Sequence, residues 1–587
     1  MAQKLPEVDA VIVGLGWAGA IIANELADEG LSVVGFERGP WRDTARDFNI
    51  TTVPDELRYN DRQELMVEPR QSAVTVRNNV SETALPMRHW GSFHPGNGIG
   101  GAGLHWAGIT FRFQPEEFRL RSHLEERYGK GAILDFLSLQ DWGTDWQEME
   151  PFYDRFEKLC GTSGKAGNIG GKKIRGGNMF EGPRSGDYPT PPMEQPYGPA
   201  LFAKTAEKMG YNSFPVPSSL LSQAYTNELG VSLAPCTFCG FCTNYGCANY
   251  SKASALTCVI PALMRKKNFT ARVNSEVLQV MLDSDGKRAT GIRFIDEEGI
   301  EYEQPADIVV VSAFTLENVR LMLLSGVGKA YNPIDKSGTT GRNYAYQTAN
   351  NVQLFFNDKT IFNPFIGAGA VGMGIDDFNN DNFDHSGLGF FGGGSIRVTP
   401  IGGAPIAFRP VPPDTPRWGK TWKAATVKHY LSTMSIGCEA SNYSSPANYL
   451  SLDPTYKDPH GRPLLRITYD YTDNERKMAL YCTGKVAEIA KAMGPDQIVQ
   501  QPSKGHWNSA PYQSSHVVGG FIMGADPENS SVNKYLQNWD VHNLFVVGAS
   551  AFPQNPGYNP TGTVGALAYK AADAIRRLYL KNPRPLI

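Results

Sequence analysis

The chain opens on apolar and polar residues in an order that predicts alternating strands and helices. Residues 9–13 form a mostly apolar run that is typical of a strand buried on both faces. A glycine-rich turn follows, and residues 20–29 have the composition of a helix that ends at Gly30. A second apolar run from Leu31 to Phe36 predicts the next strand. The chain therefore begins with a predicted strand, turn, helix and strand.

Three glycines in the first turn have the spacing that dinucleotide-binding proteins use between a strand and a helix. Gly14 permits a tight turn, Gly16 lets a pyrophosphate approach the backbone, and Gly19 lets the helix pack on the strand. The helix N-terminus then faces the phosphates, and Glu37 can accept hydrogen bonds from a ribose. This context predicts a dinucleotide site. The alternative is an ordinary glycine-rich turn, and the motif alone does not separate NAD from FAD.

The end of the chain favours FAD. Residues 541–547 predict a strand that leads into Gly548, and residues 564–578 predict a helix. A nucleotide-binding fold that opens near residue 9 and closes with a strand and helix at the far end of the chain is typical of FAD enzymes. Everything between these two segments is then an insertion.

Length and composition limit the class of protein. A chain of 587 residues is too long for one compact core, because single cores rarely exceed about 250–300 residues. A hydrophobic content of 41% and a charged content of 20% are ordinary for a globular protein. The net charge of −3 gives no basic field for nucleic acid. No run of about 18 apolar residues predicts a membrane span. Residues 1–9 do not have the pattern of a secretory signal peptide.

Four of the eight cysteines are clustered in one short segment, in the spacing C-x2-C-x2-C-x4-C. They are Cys236, Cys239, Cys242 and Cys247. This clustering predicts a metal centre rather than a disulfide framework, and a run this tight is more typical of iron–sulfur ligation than of zinc. Zinc and unligated thiols remain the alternatives. The other four cysteines are expected to be small buried hydrophobes. They are Cys160, Cys258, Cys438 and Cys482.

Several segments together resemble the glucose–methanol–choline (GMC) oxidoreductases. The first glycine turn is similar to that of the family, and so are the glycine loop 98–106, the segment 251–255 and the segment 312–328. The matches continue, in the family's order, to residues 516–560. The resemblance implies an α/β FAD-binding (Rossmann-like, GMC-type) domain with an α+β substrate domain built on an antiparallel sheet.

The resemblance also implies where the two domains lie. The FAD-binding domain is expected to be discontinuous, with the iron–sulfur loop at 234–250 inside it. Its three segments are 1–109, 226–344 and 511–587. The substrate-binding domain is expected to consist of 110–225 and 345–510.

The expected FAD-binding residues come from matching positions of the family's motifs. His105 resembles a position that some relatives use to bind FAD covalently, although it could equally pack against the flavin ring. The full expected set is Gly14, Gly16, Gly19, Glu37, Gly100, Gly101, His105, Trp106, Gly548, Asn559, Pro560 and Thr561.

Two residues are expected to carry the chemistry. Oxidation of a secondary alcohol needs a base for the hydroxyl proton and a flavin for the hydride. His516 lies in a segment similar to that of the family's catalytic histidine, and histidine suits a base near neutral pH. Asn559 matches the family position that holds either His or Asn. It is expected to orient the substrate hydroxyl.

The cysteine run resembles the cytochrome-linked branch of the family, which oxidises gluconate, fructose, sorbitol or glucose. That branch implies a [3Fe-4S] cluster held by three of the four cysteines. It also implies a small subunit that carries the export signal, a multihaem cytochrome c subunit, and quinone as the final acceptor. The expected location is the periplasmic face of the bacterial inner membrane.

The resemblance alone implies the expected reaction, the oxidation of D-gluconate to 2-keto-D-gluconate. The alternatives are another sugar or polyol, an oxygen-using oxidase, a soluble cytoplasmic enzyme, and a non-enzymatic electron-transfer protein. In an oxygen-using oxidase, the cysteine run would have no evident function.

Overall fold

The computed structural model describes residues 2–48, 63–71, 73–357, 359–363, 369, 371–400 and 410–586. Two large sheets dominate this part of the chain. The first is mixed, and its central strand Glu301–Val311 pairs in parallel with Val8–Val13 and with Leu544–Val546. The strand order of this sheet is Phe269–Arg272, Val33–Phe36, Val8–Val13, Glu301–Val311, Ala289–Ile295 and Glu276–Leu282, with Gln3–Lys4 and Leu544–Val546 also paired to Glu301–Val311.

The parallel strands of this sheet are buried on both faces, as their unbroken apolar composition predicts. Ala10, Val11 and Ile12 are fully buried, and so are Val309 and Val310 on the neighbouring strand. This pairing joins the two ends of the chain, because Val8–Val13 and Leu544–Val546 lie on opposite sides of one central strand. The prediction that the two ends of the chain build one sheet is therefore confirmed.

The first helix begins earlier than predicted. It spans Trp17–Asp28 rather than residues 20–29, because the carbonyl oxygen of Gly16 already accepts a hydrogen bond from Ala20 N. The last helix is Thr561–Ala574, and it continues into one π-helical turn, Ile575–Tyr579. It packs between the first helix and Trp146–Cys160.

The second large sheet is antiparallel and has six strands. Its order is Gln497–Gln501, Thr348–Phe355, Thr433–Ala440, Gly394–Val398, Met373–Ile375 and Phe214–Pro215. Helices Tyr197–Lys208 and Asp473–Ala492 pack on it, and their buried apolar residues form a separate core with the sheet. The predicted fold class, an α/β unit with an antiparallel-sheet unit, is confirmed; the predicted domain boundaries stay a prediction.

The remaining elements are short or peripheral. A four-stranded sheet has the order Tyr449–Lys457, Pro463–Thr468, Val74–Arg77 and Leu85–Pro86. Three two-stranded ribbons are Asn168–Ile169 with Lys172–Lys173, Tyr225–Thr226 with Ser232–Leu233, and Ala345–Tyr346 with Val517–Val518. The other α-helices are Thr44–Asp47, Leu120–Tyr128, Ala255–Cys258, Ile260–Leu263, Thr315–Ser325 and Gly419–Tyr430. The 3₁₀ turns are Gln63–Leu65, Gly101–Leu104, Pro115–Arg119 and Ala549–Ala551.

No helix in the described ranges has both the length and the apolar character that a membrane crossing requires.

Candidate active site

A cavity of about 500 Å³ connects the glycine turn at the N-terminus with the residues near position 516. One end is lined by Gly14, Gly16 and Glu37, and the other by His516 and Asn559. Of the predicted FAD-binding residues, the cavity wall includes Gly14, Gly16, Glu37, Gly101, His105, Trp106, Gly548, Asn559, Pro560 and Thr561. Gly19 and Gly100 do not line the cavity. They belong to the two glycine segments that form its wall.

The glycine turn has no space for side chains at two of its three glycines. Gly14 has φ +91°, and a Cβ there would lie 2.9 Å from the carbonyl oxygen of Ser312. A Cβ on Gly19 would lie 1.9 Å from the carbonyl oxygen of Gly14. The helix Trp17–Asp28 can therefore start directly against the strand, and its free N–H groups face the cavity.

A second glycine loop closes over the first. Gly100 and Gly101 have φ values of +103° and +58°, and a Cβ on Gly101 would lie 2.9 Å from the Cα of Gly16. Trp106 fixes the far end of this loop, because its indole Nε1 donates to the carbonyl oxygen of Ala253 at 2.8 Å. Two facing glycine backbones leave a cradle that a pyrophosphate fits and a side chain would fill.

Glu37 lies at the end of its strand, as predicted, but the backbone uses part of its carboxylate. Oε2 accepts from Leu15 N at 3.2 Å, and Oε1 accepts from Gly39 N at 2.9 Å. Burial raises the pKa of Glu37, and the backbone hydrogen bonds oppose that shift. The remaining lone pairs of the carboxylate face the cavity, where a ribose hydroxyl could donate to them.

His105 is buried on the cavity wall, and its Nε2 has no hydrogen-bond partner in the described structure. Burial lowers its pKa to about 3, with smaller contributions from Lys252 and His94. The imidazole is therefore neutral near pH 7. This state suits either packing against a flavin or a covalent bond to it, and the predicted covalent link stays a prediction.

His516 and Asn559, predicted to be the catalytic pair, contact each other directly. Nδ2 of Asn559 donates to Nε2 of His516 at 3.1 Å. The backbone next to Asn559 is held in place, because the carbonyl oxygen of Tyr558 accepts a hydrogen bond from Gln347. Oδ1 of Asn559 is buried and without a protein partner among the described residues. Asn559 therefore keeps unused hydrogen-bonding capacity at Oδ1, whereas Nε2 of His516 is bonded to Asn559.

Gln347 fixes the tautomer of His516. Its Nε2 donates to the carbonyl oxygens of Pro556 at 2.7 Å and Tyr558 at 3.1 Å, so its Oε1 must face the histidine. Oε1 lies 2.5 Å from Nδ1 of His516 and can only accept. The proton is therefore on Nδ1, and the lone pair of Nε2 accepts from Asn559 in this structure, so a substrate hydroxyl would take the place of that amide hydrogen.

The electrostatics of His516 come from two charged residues on the antiparallel sheet. Burial lowers the pKa of His516 below its ordinary value of 6.5, Glu439 acts to raise it, and Arg397 acts to lower it. Oε2 of Glu439 lies 3.6 Å from Nδ1 of His516 and also forms an ion pair with Arg397. The result is a neutral histidine near pH 7, which is the form that can accept a proton.

Gln347, Arg397 and Glu439 are site residues that the sequence motifs did not identify. Gln347 lies in no recognisable motif. Arg397 and Glu439 are charged residues within otherwise apolar or neutral strands, Gly394–Val398 and Thr433–Ala440. A charged residue inside such a strand is the only feature of the sequence that could have indicated these two site residues.

The cysteine loop packs directly against the cavity. Asn244 N donates to the carbonyl oxygen of His105 at 2.7 Å, and Asn244 itself lines the cavity. The buried ammonium group of Lys252 donates to the carbonyl oxygens of Trp106, Cys242 and Tyr245 at 2.7–2.8 Å. One lysine therefore ties the cysteine loop to the glycine loop.

The four cysteines lie in one loop with unequal exposure. Cys242 is buried, Cys236 and Cys247 are half-buried, and Cys239 is exposed. Burial raises the pKa of Cys236 to about 11 and raises that of Cys242 further. Within the described ranges, no three His, Cys, Asp or Glu residues are grouped closely enough to hold a metal ion. The thiols suit a cluster by type and proximity, but they are not arranged as its ligand sphere, and the iron–sulfur site stays a prediction.

The other cysteines agree with their prediction. Cys160, Cys258, Cys438 and Cys482 are all buried in the apolar cores.

Comparison with known proteins gives one consistent result. Two family models, each described as GMC oxidoreductase, match residues 143–349 and 444–568. The chain is 49% identical over 593 residues to the gluconate 2-dehydrogenase flavoprotein of Pantoea cypripedii, covering 100% of this chain and 96% of the relative. It is 26% identical to the fructose dehydrogenase large subunit of Gluconobacter japonicus, covering 98% and 99%. Among solved structures, pyridoxine 4-oxidase from Mesorbium loti superposes with a TM-score of 0.57 at 16% identity, covering 97% and 99%.

Proposed function

The chain belongs to the GMC oxidoreductase family of FAD-dependent enzymes, and we propose that it oxidises the C2 hydroxyl of D-gluconate to 2-keto-D-gluconate. One observation carries the proposal that it oxidises an alcohol: the unprotonated Nε2 of His516 lies on the cavity wall beside Asn559. The similarity to the Pantoea gluconate 2-dehydrogenase flavoprotein over both full lengths supports the choice of substrate.

The glycine cradle and Glu37 would hold the nucleotide part of FAD, which supplies the two-electron oxidant when bound. His516 Nε2 would take the proton of the substrate hydroxyl, because Nδ1 already carries a hydrogen that Gln347 accepts. Asn559 would hold the substrate oxygen through Nδ2 while that proton leaves. Each role uses an atom that faces the cavity.

The substrate proposal has a direct test. Anaerobic mixing of the flavin-loaded protein with D-gluconate should bleach the flavin absorption, and the product should be 2-keto-D-gluconate. D-Glucose and sorbitol serve as neutral comparison substrates. Rapid bleaching by a neutral sugar or polyol, with none by gluconate, would contradict the proposed substrate and would leave the family assignment intact.

We propose further that the cysteine loop holds an iron–sulfur cluster of the [3Fe-4S] type, bound by three of Cys236, Cys239, Cys242 and Cys247. The spacing of the thiols and the contact of this loop with the cavity support the proposal. Such a cluster would supply a one-electron acceptor beside the flavin site. Iron and acid-labile sulfide in freshly isolated protein are the expected result; zinc without iron would contradict it.

We also propose that the chain works within a complex at the periplasmic face of the bacterial inner membrane. Its partners would be a small subunit with the export signal and a multihaem cytochrome c that delivers electrons to quinone. Similarity to a protein named as a large subunit supports this assembly. Fractionation of the native host with and without the small-subunit gene is the test. A flavoprotein that stays soluble, cytoplasmic and fully active in both strains would contradict it.

A further inference from the structure

The catalytic end of the cavity carries a charged pair that acts on His516 and has no assigned contact with the substrate. Arg397 and Glu439 lie on neighbouring strands, Gly394–Val398 and Thr433–Ala440. Arg397 is opposite Gly437 and Ser395 is opposite Glu439, so the two charged residues are diagonal neighbours on one face of the sheet. Both line the cavity.

Arg397 is only partly compensated by Glu439. Its residue exposure is 5%, and Nη2 pairs with Oε2 of Glu439. Nη1 and Nη2 are both buried, and apart from the ion pair of Nη2 with Glu439 neither has a hydrogen-bond partner among the described residues. A buried cationic N–H without an acceptor is unfavourable, so a ligand that supplies one would be bound selectively. The guanidinium also lies 5.6 Å from the ring centre of Phe111, which holds its plane.

The other arginines on the described cavity wall are compensated elsewhere. Arg38 pairs with Glu317 at 3.2 Å, and Arg320 pairs with Asp458 at 2.7 Å. Arg462 pairs with Asp458 and Glu276. These residues surround the Glu37 end of the cavity. Within the described wall, Arg397 is therefore the cation beside His516.

The proposed base and this cation lie close together on the cavity wall. One carboxyl group, that of Glu439, separates His516 from Arg397, with 3.6 Å from Nδ1 to Oε2. In a 2-hydroxy acid, the carbon that bears the hydroxyl is bonded directly to the carboxylate. A substrate whose hydroxyl lies at Nε2 of His516 therefore brings its carboxylate to the end of the cavity that Arg397 lines.

We propose that Arg397 binds the carboxylate of a 2-hydroxy acid and so selects sugar acids over neutral sugars, an assignment that rests on the proposed function. Glu439 forms an ion pair with the Nη2 side of the guanidinium. The substrate carboxylate would accept from Nη1, which has no partner among the described residues. A planar guanidinium suits this task, since it can hold two carboxylates at once in fixed geometry.

The test separates binding from chemistry. Anaerobic stopped-flow measurement of flavin reduction against substrate concentration gives an apparent Kd and a limiting rate for each substrate. In Arg397→Gln, the Kd for D-gluconate should rise about 10- to 100-fold, as expected for a lost charged hydrogen bond. The Kd for D-glucose or sorbitol should rise less than threefold, because neither carries a carboxylate. The limiting rate is expected to shift with every substrate, because Arg397 also acts on the pKa of His516. The Kd of Arg397→Lys should lie between those of the wild type and Arg397→Gln, because lysine keeps the charge but lacks the paired N–H donors of a guanidinium.

Glu439→Gln should not weaken gluconate binding. The substitution removes the competing negative charge and keeps an oxygen that can accept from Nη2, so the Kd for gluconate should stay unchanged or fall, whereas a purely structural ion pair would weaken binding in both variants. Arg293→Gln is the matched control, since Arg293 pairs with Glu303 across two strands away from the cavity wall. That control should bind gluconate normally.

Two further measurements distinguish lost carboxylate binding from misfolding. The flavin content and melting temperature of each variant show whether it has folded, and propionate titration, followed by the flavin absorption spectrum, reports carboxylate binding without turnover. Propionate should perturb the wild-type spectrum and not that of Arg397→Gln. An unchanged gluconate Kd in flavin-loaded Arg397→Gln would overturn the assignment of Arg397 alone. A wild-type protein that gluconate does not reduce would instead overturn the proposed function.

Discussion

At the residue scale, the protonation of His516 depends on an amide that another part of the chain supplies. Gln347 is oriented by two backbone carbonyls and accepts the Nδ1 hydrogen of His516 at 2.5 Å. Neither Gln347 nor those carbonyls needs to contact a substrate. Gln347 is therefore a positioning residue, and its effect should be visible in pH dependence rather than in binding.

The first prediction concerns the base itself. His516→Ala should retain FAD and lose about 10²–10⁴-fold in the limiting rate of flavin reduction, the usual loss when a general base is removed. Asn559→Ala should lose less, because it removes orientation and leaves the base. Anaerobic single-turnover reduction measures both. A His516→Ala protein with near-normal reduction would exclude the proposed role.

The second prediction concerns pH. Because burial lowers the pKa of His516, the base stays neutral above that value, and the reduction rate should fall only as the pH drops through an inflection below 6.5. Gln347→Glu would place a carboxylate on Nδ1, which stabilises the protonated imidazole, so the inflection should move to higher pH. Gln347→Met, which removes the acceptor without adding charge, should lower the rate without that upward movement. Identical pH profiles in all three proteins would count against the positioning role.

At the scale of elements, the nucleotide end depends on a backbone contact between a helix and a strand. The helix Trp17–Asp28 starts where Gly19 lies against the carbonyl of Gly14. Because the obstructing atom belongs to the backbone, it cannot rotate away as a side chain could. The glycine at this position is therefore required by contact distance, although its own φ is not in the left-handed region.

The third prediction tests this contact. Gly19→Ala should displace the glycine turn and greatly reduce the ratio of flavin to protein in the purified enzyme. Gly484→Ala is the matched control, because Gly484 lies inside helix Asp473–Ala492 with nothing within 4 Å of an added Cβ. That control should keep its flavin and gain about 1 kcal/mol of stability from helix propensity. Normal flavin content in Gly19→Ala would show that the turn can adjust.

At the scale of the whole molecule, the cavity is built from both large sheets. The mixed sheet supplies the glycine turn and Glu37, and the antiparallel sheet supplies Arg397 and Glu439. The cysteine loop lies against the same cavity through Lys252 and Asn244. Substrate groups, nucleotide site and thiols are thus adjacent although they are far apart in the chain.

The fourth prediction separates the two halves of the reaction. Cys239→Ser or Cys242→Ser should leave flavin reduction by substrate near normal and slow the reduction of a cytochrome acceptor. Cys160→Ala is the control, since Cys160 is buried in the apolar core beside helix residues. Cys160→Ala should lower stability through lost packing and leave the rates of both steps near those of the wild type. Equal cytochrome reduction by all these proteins would remove the cysteine loop from the electron path.

The amino-acid sequence by itself determined the local units of this protein. The first strand, the glycine turn and the helix follow from residues that are neighbours in the chain, because periodicity and glycine placement act over short distances. The pairing of His516 with Asn559, and the FAD-binding set, came from motifs in which each residue keeps a recognisable local context.

Only the tertiary structure decided what surrounds the base. Gln347 and His516 are separated by 169 positions, and Arg397 and Glu439 meet because two strands pair in one particular register. A shift of that register by one residue would turn these side chains to the other face of the sheet. Strand pairing between distant segments depends on packing throughout the chain, so no local pattern specifies it. The residues proposed to select the substrate were therefore visible only in the folded molecule.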